Sequence, residues 1–205
     1  MNSEYYISSF CNIKNNMISL NGSKVYSDDN SEFSKFIKAA YKSLETNYPK
    51  FFKMDDLSKL AFLAADVLLK EENLNLEEEN DIAIVFSNKA SSLDTDRKHQ
   101  KSIENKKDYY PSPAIFVYTL PNICIGEISI KYKLLSENSF FIFDKFNAQH
   151  LLDYTNSLLS AQKTEKVLCG WVELEENKYE AYLYLVSKTG TITHDKQNII
   201  KFSNT

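Results

Sequence analysis

The stretch Asp81-Ile82-Ala83-Ile84-Val85-Phe86 is a short apolar run between polar flanks. Such a run is typical of a β-strand that is covered on both faces. Upstream, apolar residues recur at three- and four-residue steps between Leu57 and Leu68. This spacing predicts an amphipathic helix, which Asp55 or Asp56 would cap. The two elements together predict helices packed on a buried sheet.

Predicted strands and helices alternate along the rest of the chain. These further elements are strands over 4–13, 139–143, 167–174 and 179–186, and helices over 33–44, 119–134 and 148–159. The alternation predicts an α/β fold with a mostly parallel central sheet flanked by helices. The length favours a single domain over residues 1–205. We expect the strand over 139–143 to be buried.

The sequence predicts local structure at two glycine positions. Asn21-Gly22 is a turn signal after the first strand. Gly126 lies inside a predicted helix, where glycine costs ~1 kcal/mol relative to alanine. We therefore expect another backbone to pack closely against Gly126. Residues 87–113 are polar and predict a long exposed connection that holds some helix.

Composition excludes several classes of function. The formal net charge is −4, with acidic and basic residues interspersed, so nucleic acid is a poor partner. The three cysteines, Cys11, Cys124 and Cys169, form no paired motif, which favours a reducing cytoplasm. No apolar run approaches the ~20 residues of a membrane span, and we expect no signal peptide.

The sequence shows no complete catalytic motif. No histidine stands beside a serine or cysteine in a nucleophile motif, and the four glycines form no phosphate-binding loop. The segment from Asp94 to His99 resembles a metal-binding cluster in its residue types. However, Arg97 and Lys98 oppose a cation, so we favour a solvated loop with internal ion pairs. We expect no metal and no cofactor.

Several reactive or aromatic residues have structural explanations. Cys124 and Cys169 lie in apolar settings that suppress thiol reactivity. His150 lies beside apolar residues in a predicted helix, which favours packing or capping, and His194 lies in a polar tail. Trp171 and the tyrosines at 179, 182 and 184 would line either a ligand surface or, as we favour, a packed sheet face.

Three segments in order resemble the β-ketoacyl synthase family of the thiolase-like superfamily. They are Leu60–Asp66, Asp81–Phe86 and Thr119–Ile130. Asn122 and Gly126 match an N-x-x-x-G pattern that this family carries on a helix before its nucleophile strand. The resemblance covers about residues 4–187 and only the N-terminal half of the family's fold. It therefore implies half of a thiolase-like fold.

The resemblance also locates the family's nucleophile. In the family, a cysteine follows a strand and opens a long helix, whose N-terminal dipole stabilises the thiolate. Here the segment reads Phe143-Asp144-Lys145-Phe146-Asn147, so the cysteine is absent and the position falls near Lys145 or Asp144. The resemblance thus implies a ketosynthase-like protein without the catalytic machinery.

The function that follows is a non-catalytic protein of fatty-acid or polyketide assembly. Its expected partners are a ketosynthase-like chain, in a homodimer or heterodimer, and an acyl carrier protein. The candidate dimer strand comprises Ser139, Phe140, Phe141, Ile142 and Phe143. The candidate pocket comprises Asn122, Gly126, Lys145 and His150.

Three alternatives remain open at this level. The chain would be an acyltransferase if Asp144, Lys145 or His150 replaced the nucleophile, and a perturbed pKa in a cleft would favour this function. It would be a small acyl-ligand binding module if an apolar cavity lay near Asn122 and Lys145. It would be a structural remnant if it had no ligand.

Overall fold

Eight strands join into one sheet among the residues that the computed structural model describes, which are 5–29, 32–105, 107, 110–176 and 178–205. The strands are β1 Tyr6–Lys14, β2 Met17–Leu20, β3 Ser23–Ser27, β4 Ile82–Asn88, β5 Asn138–Ile142, β6 Lys166–Glu175, β7 Lys178–Ser187 and β8 Ile192–Thr193. The helices are α1 Phe33–Ser43, α2 Asp56–Leu69, α3 Leu93–Ile103, α4 Pro113–Val117, α5 Ile123–Tyr132, α6 Ala148–Ser160 and α7 Lys196–Ser203.

The strand order is β3-β2-β1-β7-β6-β4-β5, and β8 pairs with β1. β4 is parallel to β5 and β6, and the other described pairings are antiparallel. These pairings mean that five strands run in the same direction: β1, β3, β4, β5 and β6. The prediction of a mostly parallel sheet is confirmed in strand direction. β7 runs the opposite way between β1 and β6, and therefore makes both of its contacts antiparallel.

Helices cover both faces of the sheet. Ile82, Ile84 and Phe86 of β4 belong to the core that packs under α1, α2 and α5. Ala83 and Val85 belong to the core under α6 and α7. Since successive side chains of a strand point to opposite faces, β4 contributes to both cores, as its apolar sequence predicts.

Local sequence signals explain several element boundaries. Asn21 and Gly22 adopt φ values of 51° and 79° in the turn between β2 and β3, as the Asn-Gly pair predicts. Asp55 caps α2, since its Oδ1 accepts a hydrogen bond of 2.9 Å from the backbone N–H of Ser58. The helix predicted from Thr119 instead begins at Ile123, after the separate short helix α4.

The strand predicted over 139–143 is present but is not buried. β5 forms the end of the sheet and pairs only with β4 among the described strands. Asn138 and Ile142 are exposed, and the residues between them are half-buried. The prediction of burial was wrong because an aromatic and aliphatic run does not reveal whether a strand has neighbours on both sides.

The expectation of a close backbone contact at Gly126 was also wrong. A Cβ atom at Gly126 would meet no atom within 4 Å. The close approach occurs at Gly170 of β6, where an added Cβ would collide with the backbone oxygen of Tyr182. It would also lie 2.9 Å from the Cα of Leu183. Gly170 therefore allows β6 and β7 to pair without distortion.

The segment after Gly190 is not a simple polar tail. It forms β8 and α7, and His194 is only 1% exposed. The Nδ1 of His194 lies 3.1 Å from Oδ1 of Asn156 on α6. Its burial follows from the pairing of β8 with β1, which the sequence did not signal. Within the described residues, no helix has both the length and the apolar character that crossing a membrane requires.

Candidate functional site

The turn between β5 and α6 holds the position where the resemblance implied a nucleophile. Asp144 and Lys145 are exposed in this turn. Asn147 caps α6 by accepting a 3.1 Å hydrogen bond from the backbone N–H of His150. Lys145 thus lies two residues before the cap, and the turn carries an amine and a carboxylate but no thiol.

His150 packs in an aromatic cluster rather than facing an open cavity. Its ring lies 4.5 Å from the ring of Phe141 and 5.0 Å from that of Phe143, measured between centroids. It also stacks on Tyr154 at 6.1 Å. The Oη of Tyr154 lies 2.9 Å from Oγ of Ser139 on β5. These contacts support the packing interpretation of His150, and they fasten β5 to α6.

A cavity of about 510 Å³ opens at the start of α6. Its lining includes Lys145 and Asp144 from the turn and Lys196 from α7. The other lining residues are Phe143, Phe146, Asn147, Ala148, Gln149 and Ile200. The cavity combines exposed charges with aromatic walls, and none of its lining residues has a hydroxyl or thiol nucleophile.

The cysteines cannot supply the missing nucleophile. All three are buried and unpaired. Burial raises the pKa of Cys169 to about 12, and it raises the pKa of Cys11 and of Cys124 further. The thiols therefore stay protonated near neutral pH, and protonated thiols are poor nucleophiles.

The structure does not bring the four predicted pocket residues together. Gly126 belongs to α5 and Asn122 immediately precedes this helix, which packs on the same face of the sheet as α2. Lys145 and His150 lie at α6, on the opposite face. Of the four, only Lys145 lines the cavity at the start of α6.

The segment from Asp94 to His99 lies in α3 rather than in a loop. The carboxylate of Asp94 lies 2.7 Å from Nζ of Lys98, and Arg97 pairs with Glu175 at 3.2 Å. The expected internal ion pair is therefore present for Lys98, whereas Arg97 pairs with a carboxylate outside the segment. Among the described residues, no group of three or more metal-ligating side chains could hold an ion.

Trp171 and the nearby tyrosines pack mainly as core residues. Tyr182 and Tyr184 are buried, with ring centroids 5.2 Å apart. Tyr179 packs on the opposite face of the sheet, 4.6 Å from the ring of Phe33. Trp171 is also buried, although it borders two surface cavities.

Two buried carboxylates were not found from the sequence. Asp66 on α2 accepts hydrogen bonds from Tyr132 at 2.7 Å and Thr46 at 2.6 Å. Glu127 on α5 accepts one from Tyr118 at 2.9 Å and pairs with Lys50 at 3.0 Å. An acidic residue inside an apolar helical run was the available signal.

Burial and the adjacent carboxylates raise the pKa of Tyr118 and of Tyr132. These tyrosines therefore stay protonated as hydrogen-bond donors. Each carboxylate is fully engaged by neighbouring side chains, so we assign both to packing rather than to catalysis.

Within the part of the chain that the structure describes, the backbone groups on the outer edge of β5 have no strand partner. The N–H of Ile84 donates to the carbonyl of Glu137 at 3.0 Å, and the N–H of Phe143 donates to the carbonyl of Asn88 at 2.9 Å. Backbone groups alternate in direction along a strand, so those of Phe140 and Ile142 point away from β4. This edge can accept a further strand.

Exposed apolar side chains lie on β5 and on the segment that precedes it in the sequence. Ile142 is 49% exposed, and Leu135, between α5 and β5, is 63% exposed. Ile130 on the last turns of α5 is also exposed. An unpaired strand edge that carries an exposed aliphatic side chain is typical of a protein–protein interface.

Comparison with known proteins identifies the fold. No family model and no curated protein matches the sequence. Among solved structures, "The ishigamide ketosynthase/chain length factor" matches with a TM-score of 0.62 and 17% identity, over 89% of this chain and 62% of that chain.

Two further structures are similar. A ketosynthase in complex with its chain length factor from Xenorhabdus doucetiae matches with a TM-score of 0.61 and 14% identity, over 98% of this chain and 90% of that chain. A type II polyketide synthase acyl carrier protein in complex with its ketosynthase matches with a TM-score of 0.59 and 14% identity, over 98% of this chain and 65% of that chain.

The chain therefore has the fold of these ketosynthase structures, as the resemblance implied. It spans less than two thirds of the matched chain in the first and third structures. In the complex from Xenorhabdus doucetiae, the matched chain is similar in length to this one.

Proposed function

We propose that this chain is a non-catalytic ketosynthase-like protein of polyketide or fatty-acid biosynthesis, which acts by pairing with a ketosynthase chain. The pairing surface is the free edge of β5, over Ser139–Phe143. In this assembly, residues 1–205 act as one domain that resembles the N-terminal half of a ketosynthase. The three buried, unpaired cysteines support a reducing, cytoplasmic setting.

The observation that carries the proposal is the unpaired edge of β5. Its outward backbone groups and the exposed side chain of Ile142 offer both hydrogen bonds and apolar contact to a second strand. A similar structure pairs a ketosynthase with a chain length factor, and its matched chain has nearly the length of this one. Both facts favour a heterodimer, and a homodimer uses the same edge.

The non-catalytic part rests on the turn between β5 and α6. The resemblance implies that the family's nucleophile position falls near Lys145 or Asp144, and both residues are exposed to solvent. An exposed amine lacks the apolar surroundings that activate a lysine for covalent catalysis. A structure of an acyl carrier protein with its ketosynthase supports such a carrier as a further partner.

Intact-mass spectrometry tests the non-catalytic role. The purified chain is incubated with an acyl carrier protein thioester, alone and together with a type II polyketide ketosynthase. We expect acyl transfer to the ketosynthase and no change in the mass of this chain. An acyl adduct on this chain would overturn the proposal and would favour an acyltransferase that uses Lys145, Asp144 or His150.

Adding a free fatty acid to the purified chain, alone and together with the ketosynthase, distinguishes the acyl-binding alternative. Native mass spectra would then show one fatty-acyl molecule held non-covalently by the isolated chain, with no complex between this chain and the ketosynthase. The cavity of about 510 Å³ beside Lys145 is the place where such a ligand would bind. A Lys145→Glu variant would weaken that binding and leave pairing through β5 unchanged.

A further inference from the structure

A second cavity lies on the α6 and α7 side of the sheet, beside the last residues of α7. It has a volume of about 130 Å³, and its walls include Phe146, Trp171 and Tyr182. Trp171 and Tyr182 are directly opposed residues of β6 and β7. Since one water molecule needs only ~10–15 Å³ of such space, the cavity has room for a small organic molecule.

Three aromatic side chains form the apolar part of this cavity. The ring of Phe146 lies 6.0 Å from that of Trp171 and 5.9 Å from that of Tyr182, and it meets both nearly at right angles. Aromatic rings bury the carbon atoms of a ligand well, and their π-electrons attract a nearby cation.

The polar part of the cavity includes one carboxylate, Glu180, and one ammonium group, Lys14. Glu180 lines the cavity and accepts a 3.1 Å hydrogen bond from Nε1 of Trp171 through Oε1. Its other oxygen, Oε2, has Lys14 at 3.8 Å, which is beyond hydrogen-bond distance. Ser203 and Asn204, at the C-terminal end of α7, also line the cavity. A helix C-terminus carries partial negative charge and favours a cation.

The hydroxyl of Tyr182 is a second, independent indication of a ligand. Tyr182 is 4% exposed, and its Oη makes no hydrogen bond with any described residue. A buried hydroxyl without a partner is unfavourable, so native structures usually provide one. The oxygen of this hydroxyl can accept a hydrogen bond from an ammonium N–H.

We infer that this cavity binds a primary alkylammonium group, with Tyr182 and Glu180 as hydrogen-bond acceptors and the aromatic rings around its carbon atoms. The ligand class is a small protonated amine. Lys14 competes for the same carboxylate and limits the affinity. The inference concerns the isolated chain and does not depend on the proposed pairing with a ketosynthase.

Tryptophan fluorescence tests the inference directly, because Trp171 is the only tryptophan of the chain. The full chain is titrated at constant ionic strength with butylammonium and, in parallel, with butan-1-ol, which has a similar shape and no charge. We expect a saturable change with butylammonium and binding of butan-1-ol that is roughly tenfold weaker or absent. Equal affinities, or no saturable response to butylammonium, would overturn the inference.

Four single variants sharpen the test. Glu180→Gln and Tyr182→Phe should each weaken butylammonium binding roughly tenfold. Lys14→Gln should strengthen it, because the competing cation is removed. Tyr184→Phe is the matched control, since it alters a buried tyrosine of the same strand outside the cavity, and it should leave the affinity unchanged.

Circular dichroism checks that each variant is folded. Lys14 is half-exposed, so Lys14→Gln remains informative if a core variant unfolds. Weaker binding by Lys14→Gln, or equal losses in Tyr182→Phe and Tyr184→Phe, would contradict the assigned site.

Discussion

Gly170 and Gly126 have opposite relations to their surroundings. The Cβ of any other residue at position 170 would collide with the backbone of β7, at Tyr182 and Leu183. Position 126 is an open helical position with no neighbour within 4 Å. Packing therefore excludes a side chain at position 170, whereas position 126 has room for one.

Alanine substitutions at the two glycines test this difference. Gly170→Ala should lower the free energy of unfolding by roughly 1–3 kcal/mol, because β6 and β7 must separate to admit the methyl group. Gly126→Ala should raise it by roughly 0.5–1 kcal/mol, because alanine has the better helix propensity. Urea unfolding of both variants gives the two values, and equal changes would contradict this assignment.

His194 should make the protein sensitive to acid. Burial lowers the pKa of His194 to about 4 from its ordinary value of 6.5. The unfolded chain therefore binds this proton more readily than the folded chain does. Stability should fall as the pH decreases from about 6.5 to about 4, by roughly 3 kcal/mol in total.

The variant His194→Gln isolates this contribution, because it keeps a polar group beside Asn156 but cannot be protonated. Unfolding free energies are measured between pH 7 and pH 4 for both proteins. The variant should lose less stability than the parent over this range. Parallel curves would show that His194 is not the group responsible.

At the level of elements, buried carboxylates fix α5 to the helices beside it. Asp66 on α2 accepts a hydrogen bond from the hydroxyl of Tyr132, which lies in the last turn of α5. Glu127 in the middle of α5 accepts a hydrogen bond from the hydroxyl of Tyr118. Hydrogen bonds to charged groups contribute more than those between neutral groups, so these contacts define the position of α5.

Removing the hydroxyl of Tyr132 should loosen this attachment. Tyr132→Phe leaves Asp66 buried with one donor fewer, and the free energy of unfolding should fall by roughly 1.5–3 kcal/mol. Tyr110→Phe is the matched control, since Tyr110 is 81% exposed, and it should change stability little. Chemical denaturation measures both. A similar value for the two variants would rule out the stabilising role of Tyr132.

Patterns within one element were predictable from the sequence. The periodic apolar residues of α1 and α6 report the face that each helix buries, whereas α2 is buried on nearly all sides. Asp55 and Asn147 signal the capped ends of α2 and α6. The place of an element among its neighbours was not predictable in this way. β5 has an apolar sequence like that of a central strand. Among the described strands, however, it is the last in the sheet order and pairs only with β4.

The candidate site shows the same limit. Lys145 was correctly expected between a strand and a helix, since both elements are adjacent in sequence. Asn122 was grouped with Lys145, yet α5 and α6 lie on opposite faces of the sheet. Which face a helix covers depends on the crossover between strands, and this information is not present in the apolar pattern of the helix itself.

At the scale of the whole molecule, β3 and β5 stand at the two ends of the strand order within the described residues. The edge at β5 carries Ile142, which is 49% exposed, and the edge at β3 carries Val25, which is 39% exposed. Our account assigns pairing to β5 alone. The two edges therefore provide a matched pair of sites within one protein.

Native mass spectrometry of this chain mixed with a type II polyketide ketosynthase tests the central claim most directly. The unmodified chain should form a one-to-one complex. Ile142→Lys should abolish the complex, because it places a charge at the pairing edge, whereas Val25→Lys should leave it intact. A chain that forms no complex, or one in which Ile142→Lys pairs as well as Val25→Lys, would contradict the account.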